Sequence, residues 1–142
     1  MISCRTNYVG SLVLLIVIAG CGSGSGWNAN NVIVNVSPGA ATIAEDGQVP
    51  LQATVNGLCP GCAPSISLWY ISENGANGIC TNTPPIPQCP AGVIQETGLS
   101  NLTATYTAPS TAGTYHVIAD WEIPVGQGSI TKTGTSVVTV NP

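Results

Sequence analysis

From residue 31 to residue 141 the chain alternates apolar and polar residues in short runs, each ended by a turn. Residues 49–55 (VPLQATV) are the clearest run: Val49, Leu51, Ala53 and Val55 share one face, and Gln52 and Thr54 share the other. A period of two suits a half-buried strand and does not suit a helix. Comparable runs lie at 31–37 (NVIVNVS), 41–44, 65–71 (SISLWYI), 102–106, 113–122 and 133–141. Pro38-Gly39 and Glu45-Asp46-Gly47 punctuate them, and residues 72–91 read as one long Gly/Asn/Pro-rich loop. Beyond residue 21 there is no 3.6-residue periodicity and no internal repeat. The pattern predicts one all-β domain, an antiparallel β-sandwich of about seven strands.

Charge narrows the function. Only 6% of the 142 residues are charged, against about a quarter in an ordinary soluble domain. Thr, Ser, Asn, Gln and Gly must therefore cover the surface. The net charge is -4, and beyond residue 20 the one strong base is Lys132. Nucleic-acid binding needs several cations to displace phosphate counterions, so nucleic acid is excluded as a partner. Electrostatic attraction to anionic lipid fails on the same count. Any membrane attachment has to be covalent or hydrophobic.

The N-terminal stretch supplies such an attachment. Arg5 precedes the apolar run SLVLLIVI at 11–18. That run is too short to cross a bilayer as a helix, which takes about 20 residues, but it has the length of a signal-peptide core. It ends in Ile18-Ala19-Gly20-Cys21, which resembles the bacterial lipobox. The resemblance implies cleavage before Cys21, a diacylglycerol on its thiol, and acylation of the new amino group. The expected organisation is a lipoprotein signal peptide at 1–20, a lipidated Cys21 with a Gly/Ser tether through residue 30, and a domain over 31–142. Each buried CH₂ of the acyl chains adds ~0.8 kcal/mol, so several chains hold durably. The expected location is the cell envelope, facing the periplasm or the exterior, with the leaflet left open. Cys4 leaves with the signal.

Beyond the tether, NVIVNVSPGAATIAEDGQVPLQATVNG resembles the opening of bacterial immunoglobulin-like domains. LTATYTAPSTAGTYHVIADW resembles their penultimate strands, and GTSVVTVNP their closing strand. The resemblance spans residues 31–142 and implies an immunoglobulin-like sandwich, with Trp69 in its core and Tyr115 as a tyrosine corner. Antibody-type domains bridge two facing strands with a disulfide. Here Ala53 or Val55 and Val117 stand at the matching positions, so packing alone must close the core.

Cys59, Cys62, Cys80 and Cys89 remain for the exported domain. Four cysteines in an oxidising space suggest disulfides, and three connectivities are open. The favoured one joins Cys80 to Cys89 around CTNTPPIPQC and Cys59 to Cys62 across Pro60-Gly61. A redox CxxC works at a helix N-terminus in a βαβ setting. This one lies between strands, which disfavours dithiol chemistry.

No catalytic constellation is present. The sole histidine, His116, lies on an alternating strand, and Asp120 is about 13 Å further along it, out of hydrogen-bond reach. No motif calls for a cofactor or metal. A non-enzymatic adhesion or envelope-assembly domain is expected, with an unknown protein or glycan partner. The alternative is a carbohydrate-binding accessory module, with Trp27, Tyr70 and Trp121 as a stacking platform. If Trp69, Tyr115, Val117 and Trp121 point inward, then Ile66, Leu68, Tyr70, His116 and Ile118 form an outward contact face. Residues 65–71 fit either register, because both faces are apolar. The 72–91 loop would then either rim this face or cover it.

Overall fold

The computed structural model describes residues 27–74, 89–125 and 128–142. They form β1 (Ile33–Ser37), β2 (Ala40–Ala44), β3 (Gln48–Asn56), β4 (Leu68–Ile71), β5 (Val93–Thr97), β6 (Thr103–Thr107), β7 (Gly113–Val125) and β8 (Gly128–Asn141). Short 3₁₀ turns stand at Ala29–Asn31, Ser72–Asn74 and Leu99–Asn101. The strands make two four-stranded sheets, β1-β3-β6-β5 and β2-β8-β7-β4. Every pairing is antiparallel except β2 with β8.

The alternation puts one face of each strand between the sheets. Val34, Val36, Val49, Leu51, Ala53, Ala104 and Tyr106 come from one sheet, and Trp69, Ile71, Tyr115, Val117, Ala119, Val138 and Val140 from the other. Ala53 and Val117 are both buried, and the core around them is closed by packing. Such burial is the main force holding the sheets together. Trp69 is 2% exposed, and its indole N–H donates to Asn101 O at 2.7 Å. Tyr115 Oη donates to Thr111 O at 2.9 Å, four residues upstream, bracing the corner before β7.

The chain changes sheets at Pro38-Gly39, after a cis Ser37–Pro38 bond. Ser136, fully buried on β8, donates from Oγ to Pro38 O at 2.7 Å. That bond satisfies a hydroxyl that would be costly to bury alone and fastens the crossing to the second sheet.

Three features differ from the sequence reading. β5 lies between the 72–91 loop and the 102–106 run, where the alternation marks no strand. It is an edge strand whose residues are half-buried or exposed, so it carries no core signal. β7 and β8 run on past Glu122 and before Thr133 as a two-stranded ribbon. The reason is the third difference, because residues 27–32 pack against that ribbon. Ala29, Val32 and Ile123 form a second small core, bordered by Trp27, Val55, Trp121 and Ile130. Residues 27–30, inside the segment expected to be tether, thus belong to the packed domain.

Candidate functional site

The outer face of the β2-β8-β7-β4 sheet carries most of the expected contact residues. Leu68 pairs with Asp120, and Tyr70 pairs with Ile118. Across the next strand, Ile118 pairs with Thr135 and His116 with Val137. All of these except the exposed Thr135 are half-buried, while Trp69, Ile71, Val117 and Ala119 between them face the core. Leu68, Tyr70, His116 and Ile118 therefore sit together on one side of the sheet.

Ile66 does not join them. It is 1% exposed, inside the main core. The alternation breaks before β4 because the chain there spans the two sheets. The Ile66 N–H bonds to Ser100 O at 2.9 Å, while Ser67 N–H bonds to Asp120 O at 2.8 Å. Two successive amides engage different sheets, and the side chain of Ile66 turns inward.

Nor do the aromatics assemble into a platform. Trp27 is half-buried in the second small core, with its indole N–H on Gly57 O at 2.9 Å. Trp121 is half-buried between both cores. Tyr70 alone of the three lies with the outer group.

His116 has a partner the sequence did not reveal. Its Nδ1 lies 2.6 Å from Glu73 Oε1, and its backbone N–H donates to Glu73 Oε2 at 3.0 Å. An ionised carboxylate only accepts, so Nδ1 carries the proton in this bond. Burial pushes the Glu73 carboxyl up, but hydrogen bonds from His116 and Ser72 outweigh it and leave the group below its ordinary value. Next to it, Asn74 Oδ1 accepts from Ala91 N–H at 3.0 Å, and its Nδ2 donates to Gly92 O at 3.1 Å. Tyr106 Oη donates to Ala91 O at 2.8 Å, and burial pushes that hydroxyl up, so it stays a donor. Residues 73–74 and 91–92, the two feet of the long loop, are thus locked to the sandwich. Forty-three residues separate Glu73 from His116, and no local pattern links them.

The sign of the Glu73 shift sets a pH dependence. A lowered folded-state value means that its contribution to stability is present above about pH 4.5, the ordinary value, and is lost as pH falls through the folded value. Acid unfolding of Glu73→Gln should lack that component and begin from a lower plateau at neutral pH. Identical acid-side profiles for the two proteins would contradict the pairing.

Asp120 is the other polar feature. Its Oδ1 is buried with no hydrogen-bond partner among the described residues. Burial pushes its carboxyl up, and Tyr70 is pushed up by burial and then by the Asp120 charge.

Cys59 and Cys62 form a disulfide with Cα atoms 5.3 Å apart, an ordinary separation. It closes the turn between β3 and β4, where Cys62 N–H also bonds to Cys59 O at 3.0 Å. Cys89 is disulfide-bonded as well. Cys80, Cys21 and the expected signal peptide lie outside the described residues, as does the middle of the 72–91 loop. Among the described residues no His/Cys/Asp/Glu group is placed to hold a metal, and no helix is long and apolar enough to cross a membrane. Compared with known protein families and with curated protein sequences, the chain matches none.

Proposed function

We propose that this protein is a lipid-anchored extracytoplasmic interaction module, built on an immunoglobulin-like sandwich and without catalysis of its own. The observation that carries the reading is the strand order. β1-β3-β6-β5 facing β2-β8-β7-β4 corresponds to immunoglobulin strands A-B-E-D facing G-F-C, with β2 as an added edge strand beside G. Buried Trp69 on the strand equivalent to C, and the Tyr115–Thr111 bond at the corner before F, support the same assignment. Support for the anchor comes from the lipobox-like residues 18–21 and from the short Gly/Ser run that leads into Trp27.

The contact face in this reading is Leu68, Tyr70 and Ile118, flanked by His116. Apolar side chains that lie together and stay partly in water tend to mark interaction sites. The double variant Leu68→Ser with Ile118→Ser tests it. Both side chains are half-buried, so the pair should cost about 1.5–3 kcal/mol, half the cost of removing two fully buried side chains. Association with the partner should be lost while attachment to the membrane through Cys21 is kept. Association that persists, or a collapse of the fold, would contradict the face.

A glycan partner is the second reading, favoured by one observation. Tyr70 is half-buried on the outer face beside the Asp120 charge, where its ring would stack on a sugar face. A glycan array on the same double variant and on Tyr70→Ala separates a sugar from a protein partner.

A further inference from the structure

The two ends of the sandwich are chemically different. At one end, Trp27 bonds to Gly57 and Lys132 Nζ donates to Asn30 O at 3.2 Å, so the N-terminal segment enters there. Ile33, the first residue of β1, pairs with Asn56 at the same end of β3. The turn between β5 and β6 also belongs to this end, since Ala53 N–H bonds to Leu102 O at 2.7 Å. At the opposite end, Ala108 N–H bonds to Gly47 O at 2.9 Å and Glu45 N–H to Asn141 O at 3.0 Å. The nine residues of β3 separate the ends by about 30 Å.

The two exposed large hydrophobic residues among those described, Leu99 at 94% and Ile33 at 57%, both sit at the N-terminal end. Leu99 is held there by a tightly built turn. Ser100 and Asn101 have φ of 63° and 52°, the left-handed region that non-glycine residues rarely adopt. Ile66 N–H and Ser65 Oγ donate to Ser100 O at 2.9 and 3.3 Å, and the Trp69 indole donates to Asn101 O. These hydrogen bonds fix the turn with the Leu99 side chain in water.

We infer that the N-terminal end of the sandwich lies against the bilayer, with Leu99 entering the boundary between head groups and acyl chains and Ile33 at its rim. This rests on the reading of Cys21 as the lipidated residue. Covalent geometry then fixes the direction. The stretch from Cys21 to Trp27 spans at most about 20 Å, less than the distance between the two ends. The opposite end cannot reach the bilayer standing inverted. It carries residues 45–47 and 108–112 and the base of the 72–91 loop, and it points away from the membrane toward partners.

The test uses the full chain, produced in acylated form and reconstituted in phosphatidylcholine–phosphatidylglycerol vesicles. A polarity-sensitive dye is placed through Leu99→Cys at the near end or Ser110→Cys at the far end. Both sites are exposed, so folding is not at issue. On vesicles, the dye at 99 should shift to the blue and lose access to a water-soluble quencher, while the dye at 110 does neither. Flotation and intact mass are read on the same samples. If the chain is acylated and floats but the dye at 99 is quenched as readily as that at 110, the orientation is wrong and the anchor stands. A chain without acyl groups overturns both.

Discussion

Trp69→Ala should lower the stability of the domain by roughly 3–5 kcal/mol, the range for removing a buried tryptophan. The residue is 2% exposed and packs in the main core between the sheets. Its indole N–H also holds Asn101 O at 2.7 Å, so the change releases the turn that carries Leu99. Domains of this size are stable by only about 5–15 kcal/mol. Thermal unfolding followed by circular dichroism should therefore move down by at least about 10 °C. Trp69→Phe keeps much of the volume and loses only the bond, so it should cost clearly less. A shift of a few degrees for Trp69→Ala would place the side chain outside the core.

The second large effect is expected at Gly92. Its φ is +93°, and an added Cβ would stand 2.3 Å from Thr107 O and 3.0 Å from Tyr106 Cε2. Holding a side chain in that conformation costs about 1–3 kcal/mol, and the β6 carbonyl would also have to move. Gly61 provides the control. It has a φ of +81° with nothing within 4 Å of a built Cβ. Gly61→Ala should show the conformational cost alone, about 1–2 kcal/mol, and Gly92→Ala clearly more. Equal losses in denaturant titrations would mean that β5 and its approach do not pack against β6 as described.

The alternating strands were legible because burial on one face leaves a period-two imprint. Val49, Leu51 and Ala53 all face the core, as do Val117 and Trp69. β5 was not legible, because an edge strand with half-exposed residues needs no apolar face. Ile66 was misassigned because its register depends on a hydrogen bond to Ser100 in a distant segment. The packing of residues 27–32 escaped notice for a related reason. Trp27 and Ala29 gain their burial from Ile123 and Trp121, nearly a hundred residues away. In the candidate contact face, alternation grouped Leu68, Tyr70, His116 and Ile118 correctly on one side of the sheet. Glu73, the partner of His116, comes from a turn on another part of the chain, and no spacing announces it. Local periodicity thus tells which way a side chain points, while partners brought together by tertiary folding stay hidden.

The anchor at Cys21 is the central claim, and intact-mass spectrometry of the protein purified from bacterial membranes tests it most directly. The predicted result is a chain that has lost residues 1–20, begins at Cys21 and carries the added mass of its acyl groups. Cys21→Ser should then leave the membrane fraction with an unchanged unfolding midpoint, since the anchor in this account attaches the domain and does not hold its core. A membrane-associated chain whose Cys21 is unmodified would contradict the account.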